Sequence, residues 1–192
     1  MMEFPPSKES LLPADAAFPL GEFYARNGHI LPPLQQVDGE DVPDPYRTLL
    51  VHENDMTSTL EDYHGGPVHI EVLGKNREGD EYFREVILRS EPSQAPVEFG
   101  AIKIFLGRFP KEAQTKILEE HWPLGRILKE SNIQFASRPK AFLRIASDPL
   151  INQVLGLTGA QVLYGRRNTL TDANGNSLAE IVEILPPAPP KT

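Results

Sequence analysis

The chain has no cysteine. Disulfides, thiolate metal sites and cysteine nucleophiles are therefore excluded, and the redox compartment is left open. Positive charge is in deficit: 19 Lys and Arg against 27 Asp and Glu give a net charge of -8. That balance argues against broad binding to phosphate backbones or anionic membranes, while leaving room for a small basic pocket. Long apolar runs are missing too, and nothing approaches the ~20 residues of a membrane-spanning helix. Met1 to Leu20 has neither the basic start nor the unbroken apolar centre of a signal peptide. A soluble, cytoplasmic protein without membrane or nucleic-acid partners is the expectation. His52-Glu53-Asn54-Asp55 lacks a His-Glu-x-x-His spacing, and His64 and His69 straddle a glycine turn, so no metal site is expected. No Ser-His-Asp context exists, and Gly100 and Gly107 form no phosphate loop.

Proline is plentiful at the N-terminus: Pro5, Pro6, Pro13, Pro19, Pro32, Pro33, Pro43 and Pro45. Residues 1–45 therefore read as an extended, Pro-punctuated arm. Residues 46–186 read as one domain and 187–192 as a Pro-rich tail. Asp44-Pro45 opens a short helix to Leu50. Ser58-Thr59-Leu60-Glu61 has the form of a capping box, with Asp55 or Thr57 as alternative caps and Gly65-Gly66 as the stop. Strands are expected over 68–73, 82–88 and 97–106, joined by short turns as an antiparallel meander. Helices follow over 111–120 and 124–129, each opened by a proline. A strand at 141–145 and a helix from Asp148-Pro149 to about Leu155 precede a hairpin turning at Asn174-Gly175. Strands grouped around inserted helices indicate an α+β fold.

Two charges sit on apolar strand faces. Arg84 shares its face with Tyr82, Val86 and Leu88; Glu183 shares its face with Ile181 and Leu185. A buried charge is costly unless paired. Arg84 is either a structural partner of a glutamate or the anchor of an anionic ligand, since its planar fork suits carboxylates. Glu183 is either paired with Arg84 or Arg166 or free for chemistry. Glu180 lies on the opposite face with Leu178, Val182 and Ile184, and periodicity does not choose between the two glutamates.

Five segments in order carry a resemblance: Asp55-Met56-Thr57; Tyr82-Phe83-Arg84-Glu85-Val86-Ile87-Leu88; Pro123-Leu124-Gly125-Arg126-Ile127-Leu128; Tyr164-Gly165-Arg166-Arg167; and Glu183-Ile184-Leu185-Pro186. Together they resemble the chorismate pyruvate-lyase family, which forms 4-hydroxybenzoate for ubiquinone biosynthesis. The resemblance implies a six-stranded antiparallel sheet with helices covering an enclosed ligand cavity. It also implies elimination of pyruvate from chorismate, or from a related enolpyruvyl compound, without a cofactor. On that reading Arg84 anchors a carboxylate, the Leu124 amide meets the aromatic acid and Met56 lines the pocket. Glu183 handles the proton, with Arg166 supporting it or the enolpyruvyl carboxylate. The arm at 1–45 and an insert at 149–159 depart from the family's short enzymes, and the insert is placed to cover or reshape the pocket. The alternative is a non-catalytic module that binds or senses a small aromatic acid on the same fold, because fold alone does not establish catalysis.

Overall fold

The computed structural model describes residues 17–188. The expectations for residues 1–16 and 189–192 lie outside them. The described residues open with a helix inside the Pro-rich arm, α1 (Leu20–Arg26). Leu20, Phe23 and Tyr24, spaced to share one helix face, are all buried. After Pro32-Pro33 comes a four-residue strand, β1 (Leu34–Val37). Two helices follow, α2 (Tyr46–Leu50) and α3 (Met56–His64). The cap of α3 is Asp55, which accepts from the Ser58 N–H at 2.9 Å. Ser58 therefore lies inside the helix rather than at its start, and Gly65 closes it in the left-handed conformation.

The strands β2 (Val68–Glu78), β3 (Glu81–Ser90) and β4 (Pro96–Phe105) form the expected meander. The helices α4 (Lys111–Glu119) and α5 (Leu124–Glu130) lead to β5 (Ala136–Ala146). Next come α6 (Pro149–Leu155) and the hairpin β6 (Val162–Thr171) and β7 (Ser177–Leu185). All pairings are antiparallel, in the order β1-β5-β6-β7-β4-β3-β2. The two meanders join where β4 meets β7. The fold class is as read from sequence, with seven strands where six were expected. The added strand is β1, whose four residues are too few to show a period and which pairs only with Phe142 to Ile145. Beyond that pairing β5 is itself an edge, so Pro139 is tolerated there with a bulge before Ala141. This is why β5 runs longer than 141–145.

The sheet is covered on both faces. On one, α1 and α6 pack over Phe83, Phe99, Leu143, Ile145, Leu163 and Ile184. The expected insert at 149–159 is thus α6, with Ile151 and Leu155 buried in this cluster. It lies across the sheet from the cavity described below and does not cover it. On the other face, α4 and α5 pack over Tyr82, Ile102 and Ile104, while α2 and α3 pack over Leu88, Val97 and Leu185. A buried side chain of this size contributes about 1.5–3 kcal/mol, so both layers are integral to the fold.

Candidate functional site

Between the last two helix–sheet layers, under the N-termini of α3 and α5, the sheet leaves a cavity. With its mouth it encloses about 550 Å³. Its walls are mostly aliphatic: Ile70, Val86, Leu88, Ile102, Leu170 and Ile181. Met56, Arg84, Leu124 and Glu183 line it as well. Four segments far apart in sequence are therefore brought to one space. Gly125 permits the convergence of α3 and α5. A Cβ there would meet Asp55 Oδ1 and Thr57 Oγ1, each at 2.8 Å.

Arg84 is 1% exposed, and its Nε and Nη1 have no hydrogen-bond partner among the described residues. Burial lowers its pKa to about 10, opposed by the nearby Tyr82 and Glu120. It therefore stays charged at neutral pH. The register places it opposite Ile102 in β4 and Lys75 in β2. Neither neighbour is a carboxylate; the one carboxylate that acts on Arg84 is Glu120, and it does so without a hydrogen bond among the described residues.

Arg166 is the partner of Glu183. Its Nε donates to Glu183 Oε2 at 2.5 Å, and both side chains are buried. The pair faces across the β6–β7 ladder, where Arg166 and Glu183 are register partners. The rest of the guanidinium donates to the carbonyls of Leu50, His52 and Asn54 at 3.1–3.3 Å. Arg166 does not line the cavity. It ties the 50–54 segment, and so the start of α3, to the sheet. His52 completes that anchorage. Its Nε2 lies 2.7 Å from the Leu49 carbonyl, and its Nδ1 accepts from the Asn54 N–H at 3.1 Å. Burial, then Arg166, lowers the His52 pKa and keeps the ring neutral. Glu180 lies on the other face, accepting from Thr169 Oγ1 at 3.1 Å.

One lining group was not singled out from sequence. Glu98 is 5% exposed, and its Oε2 has no partner among the described residues. Burial first, and then the neighbouring Glu183, raises its pKa well above the usual carboxylate range, with Arg166 opposing. The signal was available: Glu98 shares a strand face with Gly100, Ile102 and Ile104, as Glu183 does with Ile181 and Leu185. Among the described residues no group of three His, Asp or Glu could hold a metal ion. No helix there is long and apolar enough to cross a membrane.

No protein-family model and no curated protein matches the chain. Solved structures do. PhnF from Mycobacterium smegmatis aligns at TM-score 0.55 and 10% identity, over 71% of this chain and 65% of that one. The effector domain of PhnF aligns at TM-score 0.52 and 10% identity, over 68% and 87%. The ligand-binding domain of a putative GntR-family transcriptional regulator from Bordetella bronchiseptica aligns at TM-score 0.49 and 12% identity, over 62% and 85%. The match to PhnF spans just under two thirds of that protein's length. At such identity the likeness shows the fold.

The comparison corrects the family resemblance. The fold is shared with the effector domain of PhnF, and nothing places the chain among the chorismate pyruvate-lyases. The enzymatic reading falls with it: lyase activity, chorismate as substrate, pyruvate and 4-hydroxybenzoate as products, a place in ubiquinone biosynthesis, and catalytic roles for Glu183 and Arg84. The physical reason lies in the segments themselves. An Arg–Glu pair across a hairpin and a Pro-opened helix meet needs of the fold, and a buried strand arginine can anchor an anion without any reaction, so these segments do not specify chemistry.

Proposed function

We propose that this chain is an effector-binding domain whose ligand is a small organic acid, held in the cavity with its carboxylate on Arg84. One observation carries the reading: a fully buried guanidinium lines the cavity with two nitrogens that have no hydrogen-bond partner among the described residues. A charge buried without a partner is costly, and an anion delivered by a ligand offsets that cost through charge-assisted hydrogen bonds. The aliphatic walls fit a ring or short hydrocarbon. Leu124 and Met56 pack over it, and the first amides of α5 face the same space. The Arg166–Glu183 pair serves as scaffold, since its groups are satisfied by each other and by the 50–54 backbone. Binding alone requires an anion anchor and an enclosing wall, and both are present. The domain's fold in PhnF supports a role in reporting ligand occupancy to another unit.

Titration of the purified chain with benzoate and 4-methylbenzoate, followed by calorimetry and thermal shift, tests this. The wild type is expected to bind and to gain thermal stability. Arg84→Met is expected to lose at least about tenfold in affinity, with its own melting temperature unchanged or raised because an uncompensated buried charge is gone. Equal binding by the variant would refute the anchor.

A further inference from the structure

The cavity has a second pole. Glu98 lines the same space as Arg84, is equally inaccessible, and offers an oxygen with no partner among the described residues. In the β3–β4 register Arg84 faces Ile102 and Leu88 faces Glu98, which sets the two groups four residues apart along the ladder. That is about 13 Å between backbones at ~3.4 Å per residue, less what the two inward side chains span. Between the poles the wall is Val86, Leu88 and Ile102. A simple carboxylate seated on Arg84 would leave the Glu98 oxygen buried against hydrocarbon, an arrangement that costs affinity whenever water is displaced without replacement.

We propose that Glu98 is a specificity-determining residue of the ligand site, and that the ligand is a bipolar small acid carrying a hydrogen-bond donor at the end opposite its carboxylate. An ammonium or a hydroxyl supplies the same donor chemistry. This rests on the reading that Arg84 seats a carboxylate. Glu183 lines the same space, but its charge is already compensated by Arg166, which leaves Glu98 as the lining carboxyl without a cation partner of its own.

Four probes on one benzoate frame discriminate: 4-methylbenzoate, 4-methoxybenzoate, 4-(hydroxymethyl)benzoate and 4-(aminomethyl)benzoate, titrated calorimetrically into wild type, Glu98→Met, Glu98→Gln and Arg84→Met. At least one donor-bearing probe is expected to bind wild type about tenfold or more tightly than the methyl probe, which can neither donate nor accept. Glu98→Met is expected to erase that ratio, and Glu98→Gln, which keeps shape and an acceptor oxygen, to reduce it. Titrations in buffers of different ionisation enthalpy identify the donor. An ammonium draws a proton off Glu98 on binding, whereas a hydroxyl leaves the proton count unchanged. Equal affinity of all four probes for wild type, with binding still lost in Arg84→Met, overturns the role of Glu98 and leaves the anchor standing. A preference that survives in Glu98→Met overturns it as well. Failure of every probe to bind wild type overturns the anchor itself.

Discussion

A carboxyl group buried beside a second carboxylate holds its proton well above the usual carboxylate range, and Glu98 meets both conditions. The consequence for stability has a definite sign. Below its ordinary value of 4.5 the carboxyl is protonated in both states and contributes nothing. Above that value the unfolded chain releases the proton while the folded chain keeps it, so stability falls as pH rises toward the raised folded value. Glu98→Met is therefore expected to raise the urea midpoint more at about pH 7 than at about pH 4. An equal gain at both would mean that Glu98 ionises normally. Arg166 and Glu183 behave differently because each completes the other. Breaking such a buried pair from one side typically costs about 3–5 kcal/mol, and here it would also release the 50–54 segment.

At the scale of elements, the site depends on two helices being brought together. Asp55 caps α3 and also lies against Gly125 of α5. Gly125→Ala places a methyl 2.8 Å from both Asp55 Oδ1 and Thr57 Oγ1, so these two side chains must shift, with the loss of the Asp55 cap, or the helix ends must separate. The expected outcome is a weaker ligand affinity, by about tenfold, for a loss of thermal stability no greater than about 1–3 kcal/mol, the usual cost of overpacking. Affinity unchanged beside a measurable destabilisation would show that the α3–α5 approach does not shape the site. The strands obey a similar constraint. A Cβ at Gly100 would lie 2.3 Å from the Val182 carbonyl, so the β4–β7 seam closes only around glycine. That seam joins the two meanders and sets Glu98 of β4 near Glu183 of β7.

At the scale of the whole molecule, the N-terminal arm is where sequence and structure part most. Eight prolines made residues 1–45 read as an extension, yet residues 17–37 supply α1 and β1. Leu20, Phe23 and Tyr24 are buried against Phe83, Phe99 and Leu143. The helical spacing of these three was visible, but the prolines around them outweighed a helix of seven residues. A chain starting at residue 46 is expected to expose that sheet face. It should bind a hydrophobic dye such as ANS and lose a cooperative thermal transition that the full chain shows. A truncated chain melting as sharply as the full one would assign the arm a peripheral role. The long strands, the hairpin turn and the Pro-opened helices were legible because their signals are local: period-2 alternation, Asn-Gly, and proline at a helix start. β1 was not, since an edge strand of four residues is defined by its partner.

Sequence by itself determined the α+β class, the absence of thiol chemistry, and the cost of placing Arg84 and Glu183 on apolar faces, because period and burial cost are properties of neighbouring residues. It left open which charges meet. Tertiary structure decided that Arg166 takes Glu183, that Arg84 keeps two nitrogens without a hydrogen-bond partner among the described residues, and that Glu98 lines the same cavity from another strand. Ion pairing depends on distances across the sheet, which the strand order sets, and that order is closed by contacts between residues as far apart as Gly100 and Glu183. Structural likeness then showed the fold without the lyase family, since segments that satisfy a fold do not specify a reaction.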